Sequence, residues 1–153
     1  MTPSDSKLRS AARYFAVQAL FQMEASSQAL ETVREQFWTH RFGEVFEDEG
    51  EMSEANVELF DALLSGAVTH QAQIDQMTNR ALDAKWPIDR IDPTLRAIFR
   101  AAGAELVAKA TPPKVVITEF VEIAAAFFDT GKERSFANAV LDAMARETHP
   151  NAF

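Results

Sequence analysis

The segment that decides the fold is VVITEFVEIAAAFF, residues 115–128. Its first residues are β-branched and typical of strands, but its apolar positions recur with the period of a helix. Two adjacent stripes follow that period: Val116, Phe120, Ile123 and Phe127, and beside them Ile117, Val121, Ala124 and Phe128. We therefore predict a helix here, and its wide apolar arc predicts that it is the central helix of the fold.

Helix starts are indicated by capping residues elsewhere in the chain. Ser4 or Ser6 precedes an apolar stripe on the first helix, and Ser53 precedes another helical pattern. Asp92 stands directly before Pro93, and proline is favoured at the first position of a helix. The stripe on the first helix comprises Leu8, Ala12, Phe15, Ala19 and Met23. These signals predict helices before, as well as after, the central segment.

Breaks between the helices are indicated by turn residues at four places. We expect ends at 26–28, at the turn 85–93, at the TPP of 111–113, and at Gly131 in a left-handed conformation. The pattern between Val57 and Ala84 fits one long helix or two consecutive helices. Since alternating strand patterns are absent, the sequence predicts an all-α bundle of six or seven helices.

The length and the cysteine content limit the class of protein. A chain of 153 residues fits a single domain, which we expect to pack in two halves, about 1–84 and 85–153. The longest apolar run contains Glu119 and Glu122 and is too short to span a membrane. No secretion signal is visible, and the absence of cysteine favours a reducing compartment. We therefore expect a cytoplasmic protein.

The net charge of −8 arises mainly in one part of the chain. Eight acidic residues and no basic ones lie between positions 42 and 61, so the rest of the chain is close to neutral. A solvated loop and helix start would explain this segment. An acidic patch that repels nucleic acid or docks a basic partner is the alternative.

The sequence contains no motif typical of catalysis or of metal binding. The three histidines, His40, His70 and His149, have no spacing typical of metal ligands. The sequence contains no glycine-rich phosphate loop and no serine in a nucleophile turn. We therefore predict no catalytic residue, no metal site and no cofactor, and we expect that the protein is not an enzyme.

A basic and aromatic row follows the first helix. Arg9, Arg13, Val17 and Phe21 are spaced by four and drift across the face roughly opposite the apolar stripe. Arginine beside an exposed ring suits single-stranded RNA, because the guanidinium neutralises phosphate and the ring stacks on a base. The alternative is that neighbouring helices cover this face too, so that Val17 and Phe21 belong to the core and the arginines are only solvated.

A second basic and aromatic group lies in the segment GKERSF. It contains Lys132, Arg134 and Phe136, just after Gly131 and at the expected start of the last helix. Helix starts attract phosphate groups through their free N–H groups and the helix dipole. This segment is therefore a second candidate for RNA contact, with solvated surface as the alternative.

Three blocks of the sequence resemble the NusB family of transcription antitermination factors. The first block lies in ARYFAVQALFQME, where Phe21 takes the place of the tyrosine in the family pattern, and the second in LRAIFRAAGAEL, residues 95–106. The third is PPKVVITEFVEIAAAFFDTGKERSFANAVLD, residues 112–142. They occur in the family's order and cover most of the chain outside the acidic segment.

The resemblance implies an all-helical fold of about seven helices in two packed subdomains. It implies a non-enzymatic protein that binds boxA-type single-stranded RNA of ribosomal RNA transcripts together with NusE, a small-subunit ribosomal protein. The complex joins RNA polymerase and suppresses termination. By position, the family's RNA contacts correspond to Arg9, Arg13, Phe21, Lys132 and Phe136. Lys7 and Arg134 are added to this predicted RNA-binding set by their charge alone.

The sequence departs from the family pattern before Arg13. Many relatives have several basic residues there, whereas residues 10–12 are Ser-Ala-Ala. We therefore expect weak RNA binding by the chain alone and useful affinity only with NusE. The alternative is a helical protein–protein scaffold on the same fold, with a weakened or lost RNA site. A NusB-like domain preceding an RNA methyltransferase is disfavoured, since 153 residues leave no room for a cofactor-binding domain.

Overall fold

The computed structural model describes residues 4–41, 54–83 and 85–153. Among these residues it contains helices and no strand, which confirms the all-α prediction. The seven α-helices are α1 (Asp5–Ser26), α2 (Leu30–Gln36), α3 (Glu54–Thr69), α4 (Gln71–Ala81), α5 (Pro93–Ala108), α6 (Pro113–Phe127) and α7 (Gly131–Thr148). A π-helical turn, Phe37–Arg41, continues α2, and a 3₁₀ turn, Pro150–Ala152, follows α7.

Two of the predicted helix starts are confirmed by their capping hydrogen bonds. The Ser4 hydroxyl oxygen accepts a hydrogen bond from the backbone N–H of Lys7 at 3.2 Å. The Asp92 carboxylate accepts one from the backbone N–H of Thr94 at 2.7 Å, and Pro93 is the first residue of α5. Both caps satisfy N–H groups that have no partner within the helix.

The helix ends match the predicted breaks, but one of them has a different backbone from the one expected. Ser27 and Lys109 adopt the left-handed conformation after α1 and α5, with φ of 57° and 59°. The prediction of a left-handed Gly131 was wrong, because Gly131 begins α7 without a positive φ. Extended backbone at Phe128 ends α6 and redirects the chain instead. The predicted cap Ser53 lies outside the described residues.

The central helix is α5, so the prediction that the 115–128 segment takes this position was wrong. Helix α5 packs against α1, α3, α4, α6 and α7. Small residues at positions 101–104 allow these neighbours to approach α5 closely. Helix α6 is apolar over a wide arc, yet Val115 and Phe127 on it are exposed. The buried residues of α5 are Leu95, Arg96, Ala97, Ile98, Phe99, Ala101, Ala102, Gly103, Ala104, Glu105 and Leu106.

The crossing of α4 and α5 depends on Gly103. A Cβ atom at this position would clash with the Cγ2 atom of Ile74, which lies on a β-branched and therefore stiff side chain of α4. Glycine is needed here for the close approach of two helices and not for an unusual backbone conformation. The residue thus fixes the distance between α4 and the centre of the bundle.

Helix α1 packs against α3 and α5, and another side of it lies along α6. Arg9, near the start of α1, and Lys114, near the start of α6, line the same groove. Further along both helices, the ring of Tyr14 stacks on that of Phe127, with centroids 5.3 Å apart. The two helices therefore run in the same direction side by side. We call the contact line between them the α1–α6 seam.

The buried apolar side chains form one connected core that includes residues of all seven helices. The boundary between two halves near residue 84 stays a prediction, since one cluster joins residues from both sides of it. Within the described residues, no helix is long and apolar enough to cross a membrane.

Candidate nucleic-acid interface

The row predicted on α1 is only partly at the surface. Phe21 is 40% exposed and Arg9 is half-buried, whereas Arg13 is 3% exposed and Val17 is fully buried. The prediction of two arginines and a ring in one exposed line was therefore wrong for Arg13. The physical reason is that α3, α5 and α6 cover α1 on more than one side, so a row spaced by four residues passes from the surface into the core.

Arg13 is the centre of a buried ion cluster. Its Nε and Nη2 atoms donate to the two carboxylate oxygens of Glu105, each at 2.8 Å, and its Nη1 atom donates to Glu119 at 2.7 Å. The Thr111 hydroxyl donates to Glu105 at 2.7 Å, and the Ser10 hydroxyl donates to Glu119. Burial by itself lowers the pKa of Arg13, but hydrogen bonds and charges from the two glutamates outweigh it and raise that pKa. Arg13 therefore stays charged and joins α1 to α5 and α6.

The cations at the start of α1 remain available. Lys7 is exposed, and neither Lys7 nor Arg9 forms an ion pair with a described residue. Arg9 lines an open groove of about 620 Å³ between the first turns of α1 and the start of α6. The side chains of Lys114 and Thr118 line the α6 wall of this groove. At this end of the α1–α6 seam, the groove is lined by basic side chains of both helices.

The other end of the seam is aromatic. Phe21 and Phe127 line one apolar pocket of about 470 Å³, whose floor includes Val17 and Phe37. Phe127 is 37% exposed, and its ring is held against Tyr14 by the stacked contact. Exposed rings on a rigid helix surface provide faces on which an unpaired base can stack.

The second predicted group, at the start of α7, is divided between surface and core. Lys132 is exposed and forms no ion pair with a described residue. Arg134 is also exposed, but it donates to Glu122 of α6 at 2.6 Å. Phe136 is half-buried, and its ring packs against the core residue Phe99 with centroids 6.1 Å apart. Only Lys132 of this group is an unpaired surface cation.

An acidic residue lies between the two basic residues of that group. The hydroxyl of Thr130 donates to the carboxylate of Glu133, and this hydrogen bond is the main reason that the pKa of Glu133 is lowered. Glu133 therefore remains ionised and offsets part of the charge of Lys132 and Arg134. The start of α7 is a mixed surface and not a purely basic patch.

The two predicted groups approach each other across α6. Glu122, the partner of Arg134, lines a small groove together with Ser10, Ala11 and Tyr14 of α1. Arg134 is thus linked to the α1–α6 seam through its ion pair with Glu122, which lies between the basic end and the aromatic end of the seam. The structure brings Arg9, Phe21 and Arg134 to one seam, and it places Arg13 beneath that seam.

Sequence reasoning missed two residues of the seam. The sequence places Phe127 in the apolar stripe of 115–128 and Lys114 in the third block that resembles the family, and no local signal in it shows that α6 lies parallel to α1. A lysine near a helix start, without a nearby acid on the same helix turn, is a second signal for Lys114 besides that resemblance. Among the described residues, no group of histidine, aspartate and glutamate side chains could hold a metal ion.

Comparison with known proteins agrees with this helical arrangement. The NusB family profile matches residues 10–146. The transcription antitermination protein NusB of Granulibacter bethesdensis is 44% identical over 151 residues, which cover 95% of this chain and 91% of that protein. The protein of the same name from Maricaulis maris is 43% identical, with 99% and 96% covered.

Solved structures show the same fold. The NusB of T. maritima superposes with a TM-score of 0.74 at 28% identity and covers 96% of this chain, with 94% of its own chain matched. A crystal structure of the antitermination factors NusB and NusE in complex with dsRNA gives a TM-score of 0.73 at 25% identity, with 92% of this chain and 98% of that chain covered. With the family profile and close relatives over nearly the whole length, this chain belongs to the NusB family.

Proposed function

We propose that this chain is an RNA-binding transcription antitermination factor. It binds boxA-type single-stranded RNA of ribosomal RNA transcripts together with NusE, and it acts within the RNA polymerase antitermination complex. Relatives that share about 40% of its residues are named as transcription antitermination proteins, and a structural relative has been solved with NusE and dsRNA. A factor with this role is not an enzyme and works in the cytoplasm, where bacterial transcripts are made.

The observation that carries the proposal is the composition of the α1–α6 seam. One end offers unpaired cations, and the other offers exposed aromatic rings on rigid helices. This combination can bind a single strand through its backbone and its bases together. No separate catalytic arrangement is required for this role.

The predicted RNA-binding residues take different parts in this proposal. Lys7, Arg9 and Lys132 contact phosphate groups, and Phe21 stacks on a base. Arg134 exchanges its bond to Glu122 for a phosphate oxygen when RNA is bound. The remaining two predicted residues, Arg13 and Phe136, support the surface from within: Arg13 through its ion cluster and Phe136 through its contact with Phe99.

The expected affinity is modest and depends on salt. About four phosphate contacts to a single strand give a slope of roughly −3 in log affinity against log salt, or a loss of about 50-fold between about 50 and 200 mM. NusE is expected to supply the remaining contacts, because residues 10–12, directly before Arg13, are Ser-Ala-Ala and carry no positive charge.

The test measures binding of a boxA-like single-stranded RNA by the chain with and without NusE. The variant Arg9→Gln should reduce the salt slope by about 0.7 and weaken binding about 5-fold at about 0.1 M salt, because one phosphate contact is lost. Arg90→Gln is the matched control, since Arg90 is exposed on the turn before α5 and forms no ion pair with a described residue.

Arg13 is left unchanged in this test, because its loss would leave Glu105 buried without its cation. If RNA binds but Arg9→Gln behaves like Arg90→Gln, the assignment of Arg9 is wrong. If no RNA binds even with NusE, the proposed function fails and the scaffold alternative is supported.

A further inference from the structure

We infer that the RNA backbone crosses the groove between α1 and α6, and that Lys114 is a phosphate-binding residue on its far wall. This inference rests on the proposed function and extends the contact surface from α1 to a second helix. The groove is the open space of about 620 Å³ in which Arg9 and Lys114 face the same volume from different helices.

Lys114 has the properties of a residue that binds a ligand and not those of a structural lysine. Its side chain is exposed and forms no ion pair or hydrogen bond with a described residue. Its two preceding residues, Pro112 and Pro113, have no N–H group to offer. The ammonium group of Lys114 is therefore the side-chain positive charge at this wall of the groove.

The acids around the groove limit what it can bind. Asp5 and Glu119 line it together with Arg9, Arg13 and Lys114. The carboxylate of Glu119 is engaged by Arg13 at 2.7 Å, but Arg13 also neutralises Glu105, so the buried cluster has one negative charge in excess. With Asp5, the acids offset much of the positive charge of Arg9 and Lys114. The groove therefore suits singly charged phosphodiester groups of one strand, one at Arg9 and one at Lys114, and it does not suit a compact polyanion.

The spacing of the two cations is fixed by the ion cluster beneath them. Arg13 lies one helical turn after Arg9 on α1, and its partner Glu119 lies on the second turn of α6, after Lys114. Because the bonds among Arg13, Glu105 and Glu119 join three helices, the walls of the groove are held in place before RNA arrives. A preformed groove loses less conformational entropy when it binds.

The same geometry gives a path for the RNA strand along α1. From Arg9 to Phe21 the surface of α1 extends for 12 residues, or about 18 Å of helix. A strand whose phosphate lies in the groove can continue along the seam and reach the pocket formed by Phe21 and Phe127. The groove and the aromatic pocket are thus two parts of one track.

The experiment compares Lys114→Gln with Lys85→Gln in binding to a boxA-like single-stranded RNA, with NusE present, over a range of salt concentrations. Both substitutions remove one exposed lysine that forms no ion pair with a described residue, so they change the net charge equally. We expect Lys114→Gln to reduce the salt slope by about 0.7 and affinity about 5-fold at about 0.1 M salt, with little change for Lys85→Gln.

Two further variants sharpen the result. Lys114→Arg should restore the slope, and Arg9→Gln combined with Lys114→Gln should reduce it by about 1.4, since two contacts are lost. If the wild type binds RNA and the Lys114 and Lys85 variants are indistinguishable, the inference is overturned and the proposed function stands. If the wild type fails to bind RNA with NusE present, both are overturned.

Discussion

The buried ion cluster gives the sharpest prediction about this protein, and Arg13→Met is the perturbation that tests it. Methionine fills a similar volume but carries no charge. The substitution would leave Glu105, which is 3% exposed, without the two hydrogen bonds that Arg13 donates to it. It would also leave Glu119 with Ser10 as its remaining described partner.

The magnitude follows from the burial of both charged groups. Removing one partner of a buried ion pair costs about 3–5 kcal/mol, because the other charge stays in the protein interior uncompensated. For a chain of this size, 1 kcal/mol corresponds to about 2–4 °C in Tm. We therefore expect Arg13→Met to lower the Tm by about 6–20 °C.

A compensated variant separates the loss of the charge from the loss of the contact. Arg13→Met, Glu105→Leu and Thr111→Val together replace the polar groups of the cluster's interior with apolar ones of comparable size. Well-packed apolar replacement of a buried ion pair is often neutral or stabilising, so this triple variant should recover at least half of the lost Tm. Thermal unfolding followed by circular dichroism measures both variants.

RNA binding by the triple variant then tests the position of Arg13. If Arg13 lies beneath the seam and touches no phosphate, the salt slope of the triple variant should equal that of the wild type. A well-folded triple variant whose slope is smaller by about 0.7 would show that Arg13 contacts the RNA, and would refute the reasoning. A triple variant no more stable than Arg13→Met would refute the account of the uncompensated charge.

Two other substitutions test the packing and the electrostatics of the helices. Gly103→Ala should destabilise the chain by about 1–3 kcal/mol in urea unfolding, because its Cβ atom would clash with Ile74. Combining it with Ile74→Ala should cost less free energy than the sum of the two single changes, since the second change removes the clashing atom. Strict additivity of the two costs would contradict the clash. Burial raises the pKa of the Asp61 carboxyl above its ordinary value of 3.8, against the opposing effects of Arg34 and Trp38. Ionisation of Asp61 therefore costs more free energy in the folded chain than in the unfolded chain, so the wild type loses stability as the pH rises and Asp61 ionises. Asp61→Asn lacks this loss. Its Tm minus that of the wild type should therefore rise from about pH 3.5 upwards and then level off. A difference that falls with pH would contradict this cause.

Much of the fold was predictable because its signals are local. The serine at position 4 and the Asp92–Pro93 pair begin helices through contacts with residues two or three positions away. The 3.6-residue period outweighed the β-branched residues of 115–128, since a helix there buries one face of the segment. Gly131 was misjudged because glycine is favoured just after a helix end but is also accepted at a helix start. The extended backbone of Phe128 ends α6 three residues earlier, so Gly131 begins α7.

The site was less predictable, because its residues belong to two helices. The period of α1 correctly aligned Arg9, Arg13 and Phe21, but it cannot show which part of that line neighbouring helices cover. Arg13 is buried because Glu105 and Glu119 stand opposite it, and these residues lie more than 90 positions further along the chain. Lys114 came to the seam through the same packing.

By itself, the sequence determined that the chain is helical, where most of its helices begin and end, and which family it resembles. These properties depend on periodicity, on capping and on residue identity, all of which act over a few positions. Tertiary structure alone decided that α5 is the central helix, that Arg13 supports the surface from within, and that Arg9 and Lys114 share a groove. The physical reason is that burial and charge pairing depend on which helix faces come together, and that is settled by packing across the whole core.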